Sequence, residues 1–335
     1  MSNFTIISSI PRSVGWLPIL HMQELLVQMT GAKFYDVSGK LKKFFSLFPK
    51  IKAEKTSSNN VLVYIARNSS DARSFLTLAN SVIRADVSIL WIVDSFWTDH
   101  TLRNENFISN NFDFIIHMQS FDDEYYRKTF GTRSLRLDWG SDVLRFGNAN
   151  KDRPIDLLRI GRQPSSWEDD VATERACLAR GLRFAGRPAM HSPEALSIQS
   201  LMNNYYSRSK FVLAHSNVAA PAKYTHPSKA YITGRWTDAI ACGAAVIGVP
   251  PHGDLQIIDW PEALLPLSSL DREKGLDLLA SKIKTWDSNS AKINYMRALH
   301  KLDWRWRFRT LFDAIGCNSA LLNQEISELY RRMEV

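Results

Sequence analysis

Short apolar runs without a polar face recur along the whole chain, and longer amphipathic stretches separate them. The runs are Phe4–Ser8, Val61–Ala66, Ser88–Val93, Phe112–His117, Ser134–Leu137, Ile155–Ile160, Leu182–Ala185, Phe211–Ala214 and Ala244–Val249. A strand with one face in water alternates apolar and polar residues. A strand covered on both faces need not, and that is the state of strands in a parallel sheet flanked by helices. Helical periodicity fills the intervals at 18–30, 71–84, 122–129, 169–180, 194–208 and 235–242. This alternation predicts an α/β fold of the doubly wound type.

A chain of 335 residues exceeds what one hydrophobic core usually holds, so two domains are expected. The alternation pauses at RFGNANKDRP, residues 145–154, a polar stretch with Gly, Asn and Pro. The expected division is a Rossmann-like domain over 1–146, a linker over 147–154 and a second Rossmann-like domain over 155–316. A C-terminal helix over 317–335 is expected to cross back to the first domain. Residues 39–60 read as a basic helical piece followed by a polar loop.

Hydrophobic residues make up 45% of the chain and charged residues 23%, which excludes a disordered chain. The net charge of +8 points to phosphorylated or polyanionic ligands or an anionic membrane surface; a merely solvated basic surface is the alternative. Cys177, Cys242 and Cys317 lie far apart, as buried reduced thiols do. The start of the chain, MSNFTIISSIPRS, lacks the basic and apolar regions of a leader, and no apolar run has the length of a membrane span. The expectation is a cytoplasmic protein with at most peripheral contact at the inner membrane face. There is no Asp-x-Asp, Gly-x-Gly-x-x-Gly, P-loop, Gly-x-Ser-x-Gly or His-Glu-x-x-His motif, and the eight histidines do not cluster at zinc spacing. No metal and no cofactor are expected.

In open α/β sheets ligands bind beyond the carboxyl ends of the strands. Three apolar runs lead there into Gly-Arg pairs: Gly161-Arg162, Gly186-Arg187 and, after a long loop, Gly234-Arg235. Glycine allows close backbone approach, and arginine presents a planar fork to phosphate oxygens. Together they read as a diphosphate cradle, although each pair alone could simply end a strand. The long loop carries Lys229 and Tyr231, and Thr233 stands where a helix N-cap would, beside amides suited to an anion.

The segment ITGRWTDAIACGAAVIG, 232–248, resembles the donor-site helix and following strand of GT-B-fold glycosyltransferases, the group 1 and CgeB-like families. The shared pattern is Arg235, Asp238, Ala239, Ala241 and Gly243 followed by an apolar strand. LRLDWGSDVLRF, 135–146, is similar to the family's crossover between domains, Ile160-Gly161-Arg162 to the start of its donor domain, and DWRWRFRTLFDAIG, 303–316, to its late Trp/Arg helix. The resemblance implies two Rossmann-like domains facing each other across a cleft. It also implies a nucleotide-diphosphate sugar held by the second domain, and Asp238 on the ribose hydroxyls. The dipole of the helix N-terminus would favour an acid at 238 without any ligand. Many retaining members carry Glu eight positions before this acid; here Ala230 stands there, and the stereochemistry stays open.

The acceptor half offers strand-end residues. Arg12, Ser13 and Gly15 follow the first run and Arg67 the second, which places them in a loop facing the acceptor. Asp94 and His117, ending the third and fourth runs, are the candidates for a catalytic base. A turn or N-cap role for Asp94 and a core role for His117 compete with this. The reading is metal-independent transfer of a sugar to a glycan or lipid-linked acceptor, as in polysaccharide biosynthesis. A nucleotide-sugar epimerase of the same fold or a non-catalytic nucleotide- or glycan-binding protein are the alternatives. WRWRFR, 304–309, could stack on single-stranded nucleic acid, but Phe308, Leu311, Phe312 and Ile315 share one helical face, so the expectation is a packed helix and no nucleic-acid partner.

Overall fold

A computed structural model of the chain describes residues 2–38, 60–72, 85–188 and 197–334. The basic piece expected over 39–60, nearly all of the helix expected over 71–84 and the start of that over 194–208 lie outside the described residues. The chain divides into two compact units, Met1–Asp138 with Arg307–Ile326, and Trp139–Trp306 with Ser327–Val335.

The first unit holds a wholly parallel sheet of six strands: β1 Asn3–Ser8, β2 Lys33–Asp36, β3 Asn60–Ala66, β4 Val87–Ile92, β5 Phe114–His117 and β6 Ser134–Arg136, in the order β2-β1-β3-β4-β5-β6. All the strands expected from the sequence are present. The edge strand β2 was not expected, because KFYD is four residues long and mostly exposed, so no two-sided apolar run marks it. Alternate residues divide between the faces. Leu62, Tyr64, Leu90 and Ile92 join Ile115, Tyr126 and Phe130 in one core. From the same strands Phe4 stacks on Phe312 at 5.4 Å and Trp91 meets Phe308 edge-on at 6.5 Å. The apolar stripe of the helix Trp304–Ala314 is therefore spent on the sheet. Its return to the first unit begins at Arg307, ten residues before the expected position 317. Helix Leu17–Thr30 opens on Pro18 and ends at Gly31, whose φ of 65° only glycine adopts cheaply.

The second unit holds β7 Ile155–Arg159, β8 Phe184–Ala185, β9 Ser209–Leu213, β10 Ala245–Gly248 and β11 Leu264–Pro266, again all parallel, in the order β11-β10-β9-β7-β8. The short edge strand β11 is the second element that the two-face pattern did not reveal. Leu157, Phe211, Leu213 and Ile247 pack against Trp167, Leu276 and Leu279.

Residues 139–154, the first half expected in domain one and the rest as linker, are built into this second unit. Gly140 has no room for a β-carbon, which would lie 2.8 Å from the Trp304 ring and 2.9 Å from the Leu302 carbonyl. The Ser141 amide donates to Leu302 O at 2.8 Å and Ser141 O accepts from the Trp304 amide at 3.0 Å. Arg305, fully buried, donates to Asp142 at 2.8 Å and to both oxygens of Asp303 at 3.0 and 3.1 Å. Arg153 is buried without a carboxylate partner; it donates instead to the carbonyls of Asn150, Tyr206, Ser209 and Cys242. Within 145–154 it is Arg153 that turns inward, while Arg145, Asn150, Lys151 and Asp152 stay exposed.

Candidate functional site

In each sheet the chain starts in the interior, goes to one side and returns to the other. The reversal lies between β1 and β3 in the first unit and between β7 and β9 in the second. Such a reversal leaves a crevice beyond the carboxyl ends of the two strands, where α/β sheets bind ligands.

In the second unit this crevice is bordered by the turn after β7 and the loop after β9. Gly161 takes φ 71°, and its missing side chain makes room for Arg235: a β-carbon there would sit 2.5 Å from one guanidinium nitrogen. Arg235 also donates to Arg162 O at 3.3 Å. Arg162 reaches the Ala220 carbonyl, the Pro221 carbonyl at 2.6 Å and the hydroxyl of the exposed Tyr224 at 3.2 Å. Gly161, Arg162, Gly234 and Arg235 therefore converge on one rim. Burial draws the Arg235 guanidinium below its ordinary range, and the neighbouring Arg162 and Arg159 add to this. A site with unneutralised positive charge of this kind is stabilised by an anion.

Arg187 joins the rim through a different partner. It donates to Gly161 O at 3.4 Å and pairs with Glu168 at 2.7 Å, and Glu168 also holds Arg159 at 2.6 Å. Partial burial works against ionisation of Glu168, but the Gln163 amide and the two arginines hold its carboxyl below the usual range. This acid, unremarked in the sequence, takes up much of the charge of Arg187. Asn217 shapes the long loop, donating to Lys229 O at 2.7 Å and accepting the Tyr231 amide at 3.1 Å. It thereby fixes the backbone at Lys229 and Tyr231, and the Tyr231 side chain is buried. Thr233 has the extended backbone of an N-cap for the helix Gly234–Ala241, with no cap bond from its hydroxyl.

Asp238, which the resemblance puts on the ribose hydroxyls, is turned inward. It is 2% exposed and accepts from Ser141 Oγ at 2.7 Å, so its carboxylate faces the 139–146 segment rather than water. The sequence could not show this, because the partner lies 97 residues away.

In the first unit, Arg12 pairs with Asp36 at 2.5 Å, and Ser13 and Gly15 are exposed beside it. Arg67 follows β3, pairs with Asp71 at 3.5 Å and offers its carbonyl to the Asp94 amide at 2.7 Å. Burial raises the Asp94 carboxyl to about 7, with Arg67 pulling down and Asp71 pushing up. Asp94, Arg67 and Asp71 thus form one interacting group at the strand ends. His117 is fully buried, stacked on Tyr126 at 4.5 Å and 3.4 Å from Asp123. Burial lowers its imidazole to about 4, against the pull of Asp123. An imidazole depressed in this way stays neutral while an unfolded one, with its midpoint near 6.5, takes up a proton. His117 therefore withdraws stability as pH falls from about 6.5 towards 4. Its ring-proton resonances are expected to stay fixed between pH 8 and 5; movement with a midpoint above 6 would contradict this environment.

Among the described residues no group of three or more His, Cys, Asp or Glu is gathered as a metal site, and no helix is long and apolar enough to cross a membrane. No protein-family model and no curated protein sequence matches the chain. Solved structures do. Anabaena HepE in complex with UDP-glucose aligns over 93% of this chain and 99% of its own, with TM-score 0.55 and 9% identity. Sucrose-phosphate synthase from Thermosynechococcus elongatus aligns over 94% and 100%, with TM-score 0.52 and 14% identity. The pneumococcal O-GlcNAc transferase GtfA aligns over 76% of this chain, which spans 56% of its length, with TM-score 0.48 and 14% identity. The fold is that of the GT-B glycosyltransferases.

Proposed function

We propose that the chain transfers a sugar from a nucleoside-diphosphate sugar to a glycan or lipid-linked acceptor, without a metal ion. The observation that carries this reading is the convergence of Arg162 and Arg235 on Gly161 at the strand-order reversal of the second unit. When the glycosidic bond to the donor breaks, negative charge grows on the diphosphate, and preorganised donors at that point lower the barrier. The two guanidiniums and the amides opening the helix at Gly234 are such donors; in this reading Arg187, paired with Glu168, and Lys229 are secondary contacts. HepE, of the same fold, binds UDP and UDP-glucose, which makes UDP-sugars the first donors to try.

The first unit supplies the acceptor chemistry. Asp94, with a carboxyl near 7, is matched to accept a proton from a hydroxyl at neutral pH. His117 has no exposed surface and serves as packing around Tyr126. Ribose binding by Asp238 would require its bond to Ser141 to open. The positive surplus suits work at an anionic membrane face in the cytoplasm.

The test is release of nucleoside diphosphate from a panel of nucleotide-sugars with EDTA present. Release that depends on added acceptor is the expected result. Turnover only with Mn²⁺ or Mg²⁺, or interconversion of sugars without acceptor, would defeat the reading.

A further inference from the structure

The ring of His215, two residues past β9, is fixed by the Val249 amide, which donates to its Nδ1 at 3.0 Å. An accepting Nδ1 leaves the hydrogen of a neutral imidazole on Nε2. Among the described residues that Nε2–H finds no acceptor, although His215 is only 6% exposed. Buried donors are nearly always met, so one left open at a strand-order reversal calls for an explanation. Its neighbours do not provide an acceptor. Trp167 lies 5.8 Å away between ring centres, tilted by 50°, and its indole nitrogen is another buried donor without a partner among the described residues. Arg235, close enough to disfavour protonation of the ring, lies across Gly161 and likewise only donates. His215 beyond β9, Trp167 on the short helix Ser165–Glu168 that follows β7, and Arg235 on the helix Gly234–Ala241 are thus all donors near this strand-order reversal.

We propose that His215 is a binding residue for the diphosphate of the donor, giving its Nε2–H to a phosphate oxygen that Arg235 also contacts. The inference rests on the reading of the second unit as the nucleotide-sugar site. A neutral imidazole adds a directed hydrogen bond there without adding charge to a rim already crowded with arginines.

The two roles of the ring can be separated by substitution. Asparagine reproduces the acceptor at Nδ1 and lacks the distal donor; glutamine reproduces a donor at the reach of Nε2. Binding of UDP and of inorganic pyrophosphate to the full chain is measured by titration calorimetry for wild type, His215→Asn and His215→Gln. The expectation is that His215→Asn binds both about tenfold more weakly, and that His215→Gln stays close to wild type. Equal binding by wild type and His215→Asn overturns the proposal and leaves the donor-site reading standing. Failure of wild type to bind either ligand overturns both. Should His215→Asn not fold, the Nε2–H resonance of wild type decides: pyrophosphate shifts it if the bond forms, and an unmoved resonance overturns the proposal.

Discussion

Arg305→Met is expected to lower the unfolding free energy by about 3–5 kcal/mol, the usual loss when one partner of a buried ion group is removed. At this chain length that is a fall of roughly 4–7 °C in melting temperature. The side chain is fully buried and lies between two carboxylates, Asp142 and Asp303, which are also fully buried. Burial already pushes the Asp303 carboxyl above its ordinary range, with Arg305 pulling it down and Asp142 pushing it up. Without Arg305 the two acids repel each other, and Arg145, 3.9 Å from Asp142, is too distant to offset both. A carboxyl raised in the folded state favours folding at low pH and loses that contribution as pH climbs through its folded value. The deficit of Arg305→Met should therefore be smaller at pH 5 than at pH 8. Adding Asp142→Asn and Asp303→Asn removes the stranded charges and should recover part of the loss. The side-chain amide introduced by Asp303→Asn keeps an oxygen that can accept from the Leu144 amide, which Asp303 now binds at 2.8 Å. Urea unfolding of Arg305→Met and of the triple variant at both pH values measures this, and a cost below about 1 kcal/mol for Arg305→Met would show that the group is not a structural anchor.

Asp94→Asn is expected to reduce turnover by about 10²–10⁴-fold, the range for loss of a general base, while leaving UDP binding by the second unit unchanged. Because the wild-type carboxyl sits near 7, the rate should rise as pH passes from 6 to 8 and level off above. The neighbours give an independent check on the assignment. Arg67 holds the Asp94 carboxyl down and Asp71 pushes it up. Arg67→Met should therefore move the inflection of the pH–rate curve to higher pH, and Asp71→Asn to lower pH. An inflection that ignores both substitutions would assign the base to another group, whatever the effect of Asp94→Asn on rate.

The fold was legible because its main signal is local. Strands covered on both faces, such as Val61–Ala66 and Ala244–Val249, announce themselves within a few residues. The edge strands β2 and β11 did not, since pairing on one side places little demand on sequence. Residues of the three Gly-Arg pairs come together in the fold: Arg235 lies against Gly161, whose missing side chain makes the room, and Arg187 reaches the Gly161 carbonyl. Which arginine remains available was not legible. Glu168, seven residues beyond Gly161, draws Arg187 into an ion pair, while Arg162 and Arg235 rest on backbone carbonyls. Asp238 shows the same limit. Its spacing within the helix matches the resembled family, yet its hydrogen bond goes to Ser141, and only tertiary structure brings the two together. WRWRFR could equally have faced water; the burial of Trp304, Arg305 and Phe308 depends on Gly140, Asp142 and Trp91, all far away in the sequence.

The guanidinium of Arg153 joins four carbonyls from separate stretches of the second unit: the preceding turn, the start of the 206–208 turn, β9 and the end of the helix Gly234–Ala241. The polar stretch before β7 is thus a keystone rather than a joint. A gene fragment cut at the apparent boundary, starting at residue 155, would discard this residue together with Gly140, Ser141 and Asp142. The helix Gly234–Ala241 would then lose the partners of its C-terminal carbonyl, of Thr237 and of Asp238 in one stroke. The smallest heritable piece that carries the second unit intact begins at Trp139, and in any recombination between relatives of this fold the crossover point belongs before that tryptophan.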